Sequence, residues 1–138
     1  MMSLSLAITT FNRPQMTIKS FEKVLDDHRI TEIVILDDAS EKESYEELER
    51  LIKELDNKKI TLLKNEINLG MSLNKLRAIS ECSSPWVIIF DSDNVLDTSY
   101  LDAFDSHILH VAINHPTLNP SSVIYCPSGA MPKFDYRL

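Results

Sequence analysis

Short apolar runs alternate with segments of helical periodicity along the chain. Leu4-Ser5-Leu6-Ala7-Ile8-Thr9 reads as a first strand that breaks at Asn12-Arg13-Pro14. Pro14 suits the first turn of a helix, where its missing N–H has no partner to lose, and Asn12 is a candidate cap. Ile18, Phe21, Val24 and Leu25 share one face of that helix. Ile30 to Leu36 reads as a second strand ending in Asp37-Asp38-Ala39-Ser40. Ser40 or Asp38 is placed to cap the next helix, with Glu43 three residues after Ser40 as in a capping box. Tyr45, Leu48, Leu51, Ile52 and Leu55 form its apolar stripe, and its Glu- and Lys-rich face reads as solvated. Lys59 to Lys64 reads as a third strand. Asn68-Leu69-Gly70 then turns into a helix with Leu73, Leu76 and Ile79 at helical spacing, ended by Ser83-Ser84-Pro85. The run Trp86-Val87-Ile88-Ile89-Phe90 reads as a strand buried on both faces. A helix from about Ser99 to Ile113 follows, with Leu101, Phe104, Ile108 and Leu109 inward, then a loop to Pro120. Val123 to Cys126 reads as a last strand and the tail from Pro127 as irregular.

Strand–helix alternation with short connections predicts an α/β three-layer sandwich with a mainly parallel, Rossmann-like sheet. The 138 residues read as one domain, 1–138, able to bury roughly two-thirds of its unfolded surface. Right-handed crossovers bring the strand ends at Thr10, Asp37 and Asp91 to one edge. Open α/β sheets bind ligands at that edge.

The chemistry-bearing stretch is Asp91-Ser92-Asp93. In extended backbone, residues i and i+2 point to one side, so two carboxylates aim at one spot beyond the strand. They repel each other unless a cation joins them, and a hard divalent ion, Mg²⁺ or Mn²⁺, suits such oxygen ligands together with substrate phosphates. The formal net charge is −7 and no Lys/Arg run is present, which argues against a nucleic-acid partner. No Gly-rich phosphate loop can be built from two glycines. Cys82 and Cys126 fall on different elements and read as reduced thiols of a cytoplasmic protein. No apolar run approaches the ~20 residues of a membrane span, which leaves peripheral attachment to the inner face of a membrane open. His107 and His110, at i and i+3, lack an acidic partner at matching spacing and read as surface residues.

Four segments in order carry a resemblance. They are Ile8-Thr9-Thr10-Phe11-Asn12-Arg13-Pro14, Leu36-Asp37-Asp38-Ala39-Ser40, Asn65-Glu66-Ile67-Asn68-Leu69-Gly70 and Ile89-Phe90-Asp91-Ser92-Asp93-Asn94. The chain resembles the donor-binding half of a family 2 glycosyltransferase of the GT-A fold. The resemblance implies a nucleotide-sugar donor, most often uridine-linked, and inverting transfer to an acceptor hydroxyl on a glycan or lipid-linked glycan. It puts Phe11 on the base, although a core aromatic is the alternative. It puts Thr9 at the base through its backbone, and Asp38 as acceptor for the uracil N–H, a role compatible with helix capping. Asp91 falls near the ribose, and Asp93, with Asp91, at the metal that bridges the diphosphate. Lys75 stands where the family carries Arg, and keeps the charge without the planar fork. Asn94 replaces a frequent aspartate. Ala39 and Ala78 replace common glycines, so helical or β backbone is expected there.

The family's domain is considerably longer than this chain. The resemblance therefore implies that the acceptor half and its general base are missing, that the catalytic residue is unknown, and that an exposed edge invites self-association. Asp97, Asp102 and Asp105 are expected on a solvated helix. Two other readings compete with transfer. One is a phosphotransferase using Asp91 as nucleophile and Asp93 as acid/base, disfavoured by the motif's late position. The other is a nucleotide-binding or interaction fragment without catalysis.

Overall fold

In the computed structural model, residues 2–118, 129–130 and 134–135 are described. The chain divides into two compact units, Met1–Asp105 and Ser106–Leu138. In the first, strands β1 (Leu4–Thr10), β2 (Ile30–Asp37), β3 (Ile60–Lys64) and β4 (Trp86–Asp91) form a sheet in the order β3-β2-β1-β4, every pairing parallel. Helices α1 (Pro14–Phe21), α2 (Lys42–Leu55) and α3 (Gly70–Ser80) alternate with the strands, and α4 (Thr98–Asn114) follows β4. The α/β layering expected from the sequence is present. Val123 to Cys126, expected as a strand, lies outside the described residues. Within the tail expected to be irregular, β5 (Gly129–Ala130) and β6 (Phe134–Asp135) pair antiparallel, segments too short to leave a periodic signal.

Side-chain alternation along β1 sorts the two faces of the sheet. Leu4, Leu6 and Ile8 join Phe21, Val24, Ile33, Ile35, Leu48 and Leu101 in the main core. Ala7 joins Leu36 and Ala78 on the opposite face, where small side chains let α3 approach the sheet closely. β1 is buried at every position because it is flanked by β2 and β4 and covered on both faces. β4, expected to be buried on both faces, is only partly buried, and Ile89 is exposed. The reason is its place in the sheet, with β1 as its neighbour on one side.

The caps differ from expectation. Arg13, not Asn12, stands at the N-cap of α1, and the Asn12 amide oxygen instead accepts the Glu41 N–H at 2.9 Å. Glu41 precedes α2 without a side-chain cap, because the Ser40 hydroxyl is spent on Asp37. The Ser40/Glu43 capping box is therefore not formed. On α3 the buried residues are Asn74 and Ala78, while Leu73 and Leu76 are 57% and 64% exposed. On α4 Leu101 and Val111 are buried and Leu109 is exposed, so the inward stripe steps past Leu109.

Away from the strand ends that carry Asp37 and Asp91, Arg29 ties the start of β2 to α4. Its side chain is buried against Asp27 at 2.7 Å, Asp102 at 2.8 Å and Asp105 at 3.0 Å. Asp102 and Asp105 are thus engaged, not merely solvated. The Arg29 side chain, through its hydrogen bonds, holds the Asp27 carboxyl down at about 2, from an ordinary 3.8. A folded value below the unfolded one means this stabilisation is present above pH 4 and is lost as pH falls toward 2. Asp27→Asn should flatten the acid limb of a stability–pH curve in that window. Arg29→Met should cost about 1–3 kcal/mol at pH 7 by urea denaturation, since it leaves the largely enclosed Asp27 carboxylate without its partner, while Asp102 and Asp105 can turn to solvent.

Candidate functional site

Parallel register delivers the polar residues together. Thr9 sits opposite Asp91 and Thr10 opposite Asp37, so the carboxyl ends of β1, β2 and β4 finish level. The loops beyond them enclose a cleft of about 320 Å³. Its walls include Thr9, Phe11, Arg13 and Asp38, with Gly70, Met71 and Asn74 from α3 and Asp91 and Asp93 beyond β4. This volume lies at the small end of small-molecule sites.

Asp38 is buried and heavily used. Its carboxylate accepts the Asn65 amide at 2.7 Å, the Leu69 N–H at 2.8 Å and the Gly70 N–H at 3.0 Å. An anion suits the N-terminus of α3, where backbone N–H groups lack partners. Asp38 is therefore a cap, as the sequence allowed, but for α3 across the sheet and not for α2. A carboxylate has about four acceptor sites, so three protein donors leave room for one more. Behind it, Asn65 also donates to Asn74, Asn74 donates to the Leu36 carbonyl, and Arg77 donates to Asn65. This buried amide chain was not read from the sequence. The polar Asn74 among apolar neighbours on α3 was its only signal.

Asp37 is turned the other way and accepts both the N–H and the hydroxyl of Ser40. That closes the β2 loop on itself and holds Ala39 at φ +62. Helical or β backbone was expected at Ala39, and the structure overturns that. The loop tolerates the left-handed conformation because its flanks are pinned on both sides. Ala78 is helical, as expected. Gly70, at φ +76, takes the same left-handed region freely.

Phe11 is 46% exposed on the cleft wall, which removes the core-aromatic alternative. The Thr9 hydroxyl donates to Asp91 Oδ1 at 2.8 Å and its carbonyl accepts the Ser92 N–H at 3.0 Å. Lys75 Nζ pairs with Asp91 Oδ2 at 2.8 Å, so Lys75 reaches the cleft through Asp91. Arg13, which the sequence reading passed over, pairs with Asp93 Oδ2 at 3.0 Å. The Asn94 amide lies 3.5 Å from Asp93 Oδ1 as a donor.

No cluster of three or more His, Cys, Asp or Glu able to hold a metal occurs among the described residues. The donor set still fits a hard divalent cation, because Mg²⁺ typically takes one or two carboxylates and completes its shell with phosphate oxygens and water. Asp93, half exposed on the cleft, is the better-placed ligand, since its partners are a half-exposed arginine and a long amide contact, whereas Asp91 is held at 2.8 Å by both Thr9 and Lys75. Cys82 is a free thiol, pushed up to about 11 chiefly by burial, and is inert near neutrality.

The carboxyl rim of this parallel α/β sheet thus carries an exposed aromatic, a buried carboxylate and an Asp-x-Asp pair around one cleft. The sequence pattern of glycosyl transferase family 2 matches residues 5–107, and the chain belongs to that family. It is similar to WcaA of Escherichia coli (strain K12), named as a colanic acid biosynthesis glycosyl transferase, at 30% identity over 105 residues. That match spans 75% of this chain and 37% of WcaA. In fold it is similar to S. aureus TarS 1-349 (TM-score 0.65, 18% identity, 79% of this chain and 33% of that one). A second TarS structure, in complex with UDP-GlcNAc, matches with TM-score 0.63 at 18% identity, over 79% of this chain and 32% of that one. The mannosyltransferase PcManGT from Pyrobaculum calidifontis, in complex with GDP-Man and Mn²⁺, matches with TM-score 0.58 at 18% identity, over 67% and 28%. The chain thus spans about a third of the length of these relatives.

Relieving the strain at Ala39 gives a direct check on the site's backbone. Ala39→Gly should raise stability by about 0.5–1 kcal/mol, the left-handed penalty less the added chain entropy of glycine. Gly70→Ala should lower it by about 1 kcal/mol on the same grounds. Paired thermal melts read both.

Proposed function

We propose that this chain binds a nucleotide-sugar donor, uridine-linked, for transfer to an acceptor hydroxyl with inversion at the anomeric carbon. The observation that carries the reading is the convergence of Phe11, Asp38, Asp91 and Asp93 on one cleft at the carboxyl rim. Phe11 offers an exposed face for the base, and base–aromatic stacking is worth about 1–3 kcal/mol. Asp38, fixed by three protein donors, presents its remaining acceptor site to the N–H of a uracil. Asp91, oriented by Thr9 and Lys75, takes the ribose side. Asp93, with Asp91, would hold a Mn²⁺ or Mg²⁺ ion, which when bound supplies charge neutralisation for the departing nucleoside diphosphate. TarS, described with UDP-GlcNAc and with UDP, supports the uridine choice, and PcManGT with Mn²⁺ supports the metal.

The acceptor in this reading is a glycan or lipid-linked glycan, met at the inner face of a membrane. No described helix is long and apolar enough to cross one. A second reading is donor binding without turnover. In this reading the described cleft carboxylates all serve the donor side, Asp38 the base, Asp91 the ribose and Asp93 the metal, and none is assigned to deprotonate an acceptor.

Thermal-shift titration with UDP, GDP and dTDP, each with and without Mn²⁺, tests the proposal. UDP with Mn²⁺ should stabilise most, by about 2.7 kcal/mol at a hundredfold excess over Kd. Phe11→Ala should weaken UDP by about 1–3 kcal/mol. Asp93→Ala should remove the metal's contribution. An unchanged metal effect in that variant, or equal shifts for all three nucleotides, rejects the assignment. The exposed Leu73 and Leu76 on α3 support self-association as well. Sedimentation should show a concentration-dependent dimer that Leu76→Lys dissociates, and a monomer throughout rejects it.

A further inference from the structure

Arg13 and Asp93 join the loop after β1 to the loop after β4 across the cleft. Nη1 lies 3.0 Å from Oδ2, and the two side chains are 48% and 47% exposed. Both line the cleft. The fixed part of Arg13 is its backbone, whose carbonyl accepts the Thr17 N–H at 2.9 Å and the Thr17 hydroxyl at 2.7 Å. Pro14 restricts that backbone further. The guanidinium is thus the movable end of an anchored residue. The neighbouring Lys75–Asp91 pair is less exposed and is braced by Thr9, so it stays in place.

An ion pair this exposed contributes little and exchanges readily. A diphosphate carries more charge than one carboxylate and fits the planar fork of Arg in bidentate fashion. Asp93, once released, is a hard oxygen donor. Resting on the reading that the cleft takes a nucleotide diphosphate with a divalent cation, we propose that the Arg13–Asp93 pair is an exchangeable clasp. Arg13 passes from Asp93 to the diphosphate as Asp93 passes from Arg13 to the cation. A cation alone strips Asp93 and leaves Arg13 unpaired beside a like charge. A diphosphate alone takes Arg13 and leaves Asp93 facing an anion. Only the two together re-pair both groups, so the clasp couples metal binding to diphosphate binding. Arg13 is by this assignment a diphosphate-binding residue.

The test uses two probes that need no nucleoside, so it stands apart from the donor assignment. Pyrophosphate binding is measured by calorimetry without metal, and Mn²⁺ binding by electron paramagnetic resonance without phosphate. The proteins are the wild type, Arg13→Gln, Asp93→Asn and the double variant. Arg13→Gln should tighten Mn²⁺ roughly two- to fivefold and weaken pyrophosphate by a similar factor, the range expected for an exposed pair. Asp93→Asn should tighten pyrophosphate by the same order, and that gain should vanish in the Arg13→Gln background. Persistence of the gain in the double variant would mean Asp93 acts by general repulsion, and the clasp is wrong. Unchanged affinities for both probes in Arg13→Gln overturn it equally. If the clasp reads as expected while UDP fails to bind better than pyrophosphate, the donor assignment is what falls.

Discussion

The site depends on the parallel registration of β1 with both of its neighbours. Thr9 opposite Asp91 and Thr10 opposite Asp37 bring three polar strand ends level. A slip of one residue would turn every side chain to the other face. Asp91 would then leave Thr9 and Lys75 on the α3 face and point toward the main core. The slip is blocked by the two cores at once. Leu4, Leu6 and Ile8 on one face of β1 are large and fully buried, while Ala7 on the other is small enough to admit Ala78 of α3. Neither set fits the other's place, so packing energy far from the cleft sets the geometry within it.

Registration alone does not shape the cleft, because loops do. Asp37 and Asp38 are adjacent yet do opposite jobs. Asp37 folds the β2 loop onto itself through Ser40, and Asp38 reaches across to the first turn of α3. Between them Ala39 is held at φ +62, and Asn12, at φ +53, lies against the same loop through Ser40 and Glu41. Two non-glycine residues in the left-handed region on adjoining loops is a local cost, of the kind that surrounding hydrogen bonds must over-determine. Here they do. This part of the rim is held because the Asp37 and Asp38 carboxylates accept backbone N–H groups of Ser40, Leu69 and Gly70.

The strands, their order of appearance and the convergence of Thr10, Asp37 and Asp91 were legible in the sequence because they follow from short-range periodicity and from the handedness of crossovers. Edge position was not. Trp86 to Phe90 has the composition of a central strand, and only the tertiary order β3-β2-β1-β4 shows that among the described residues it borders one neighbour. The face of α3 was also hidden. Leu73, Leu76 and Ile79 form the apparent apolar stripe, yet Asn74 packs inward because Asn65 and the Leu36 carbonyl satisfy its amide. A polar side chain can be a core residue only when its partners come from elsewhere in the chain, and those partners are invisible to periodicity. The caps at Asn12 and Ser40 failed for a like reason, since each side chain found a better partner across a loop than in its own helix.

Charge is the remaining constraint on the cleft. A protein of net charge −7 gains nothing from its overall field in attracting a diphosphate. Attraction must come from individual cations placed within contact distance, and the cleft's cations are already neutralised by its own aspartates. Lys75 answers Asp91 and Arg13 answers Asp93. Asp38, answered only by neutral N–H donors, leaves the cleft with a surplus negative charge before any ligand enters, so an isolated anion meets more repulsion than attraction. A ligand that arrives with its own cation offsets that surplus. It divides the existing pairs and re-forms them with itself. The acidic pair and the basic pair are thus two halves of one preference, for an anion and a cation taken up together.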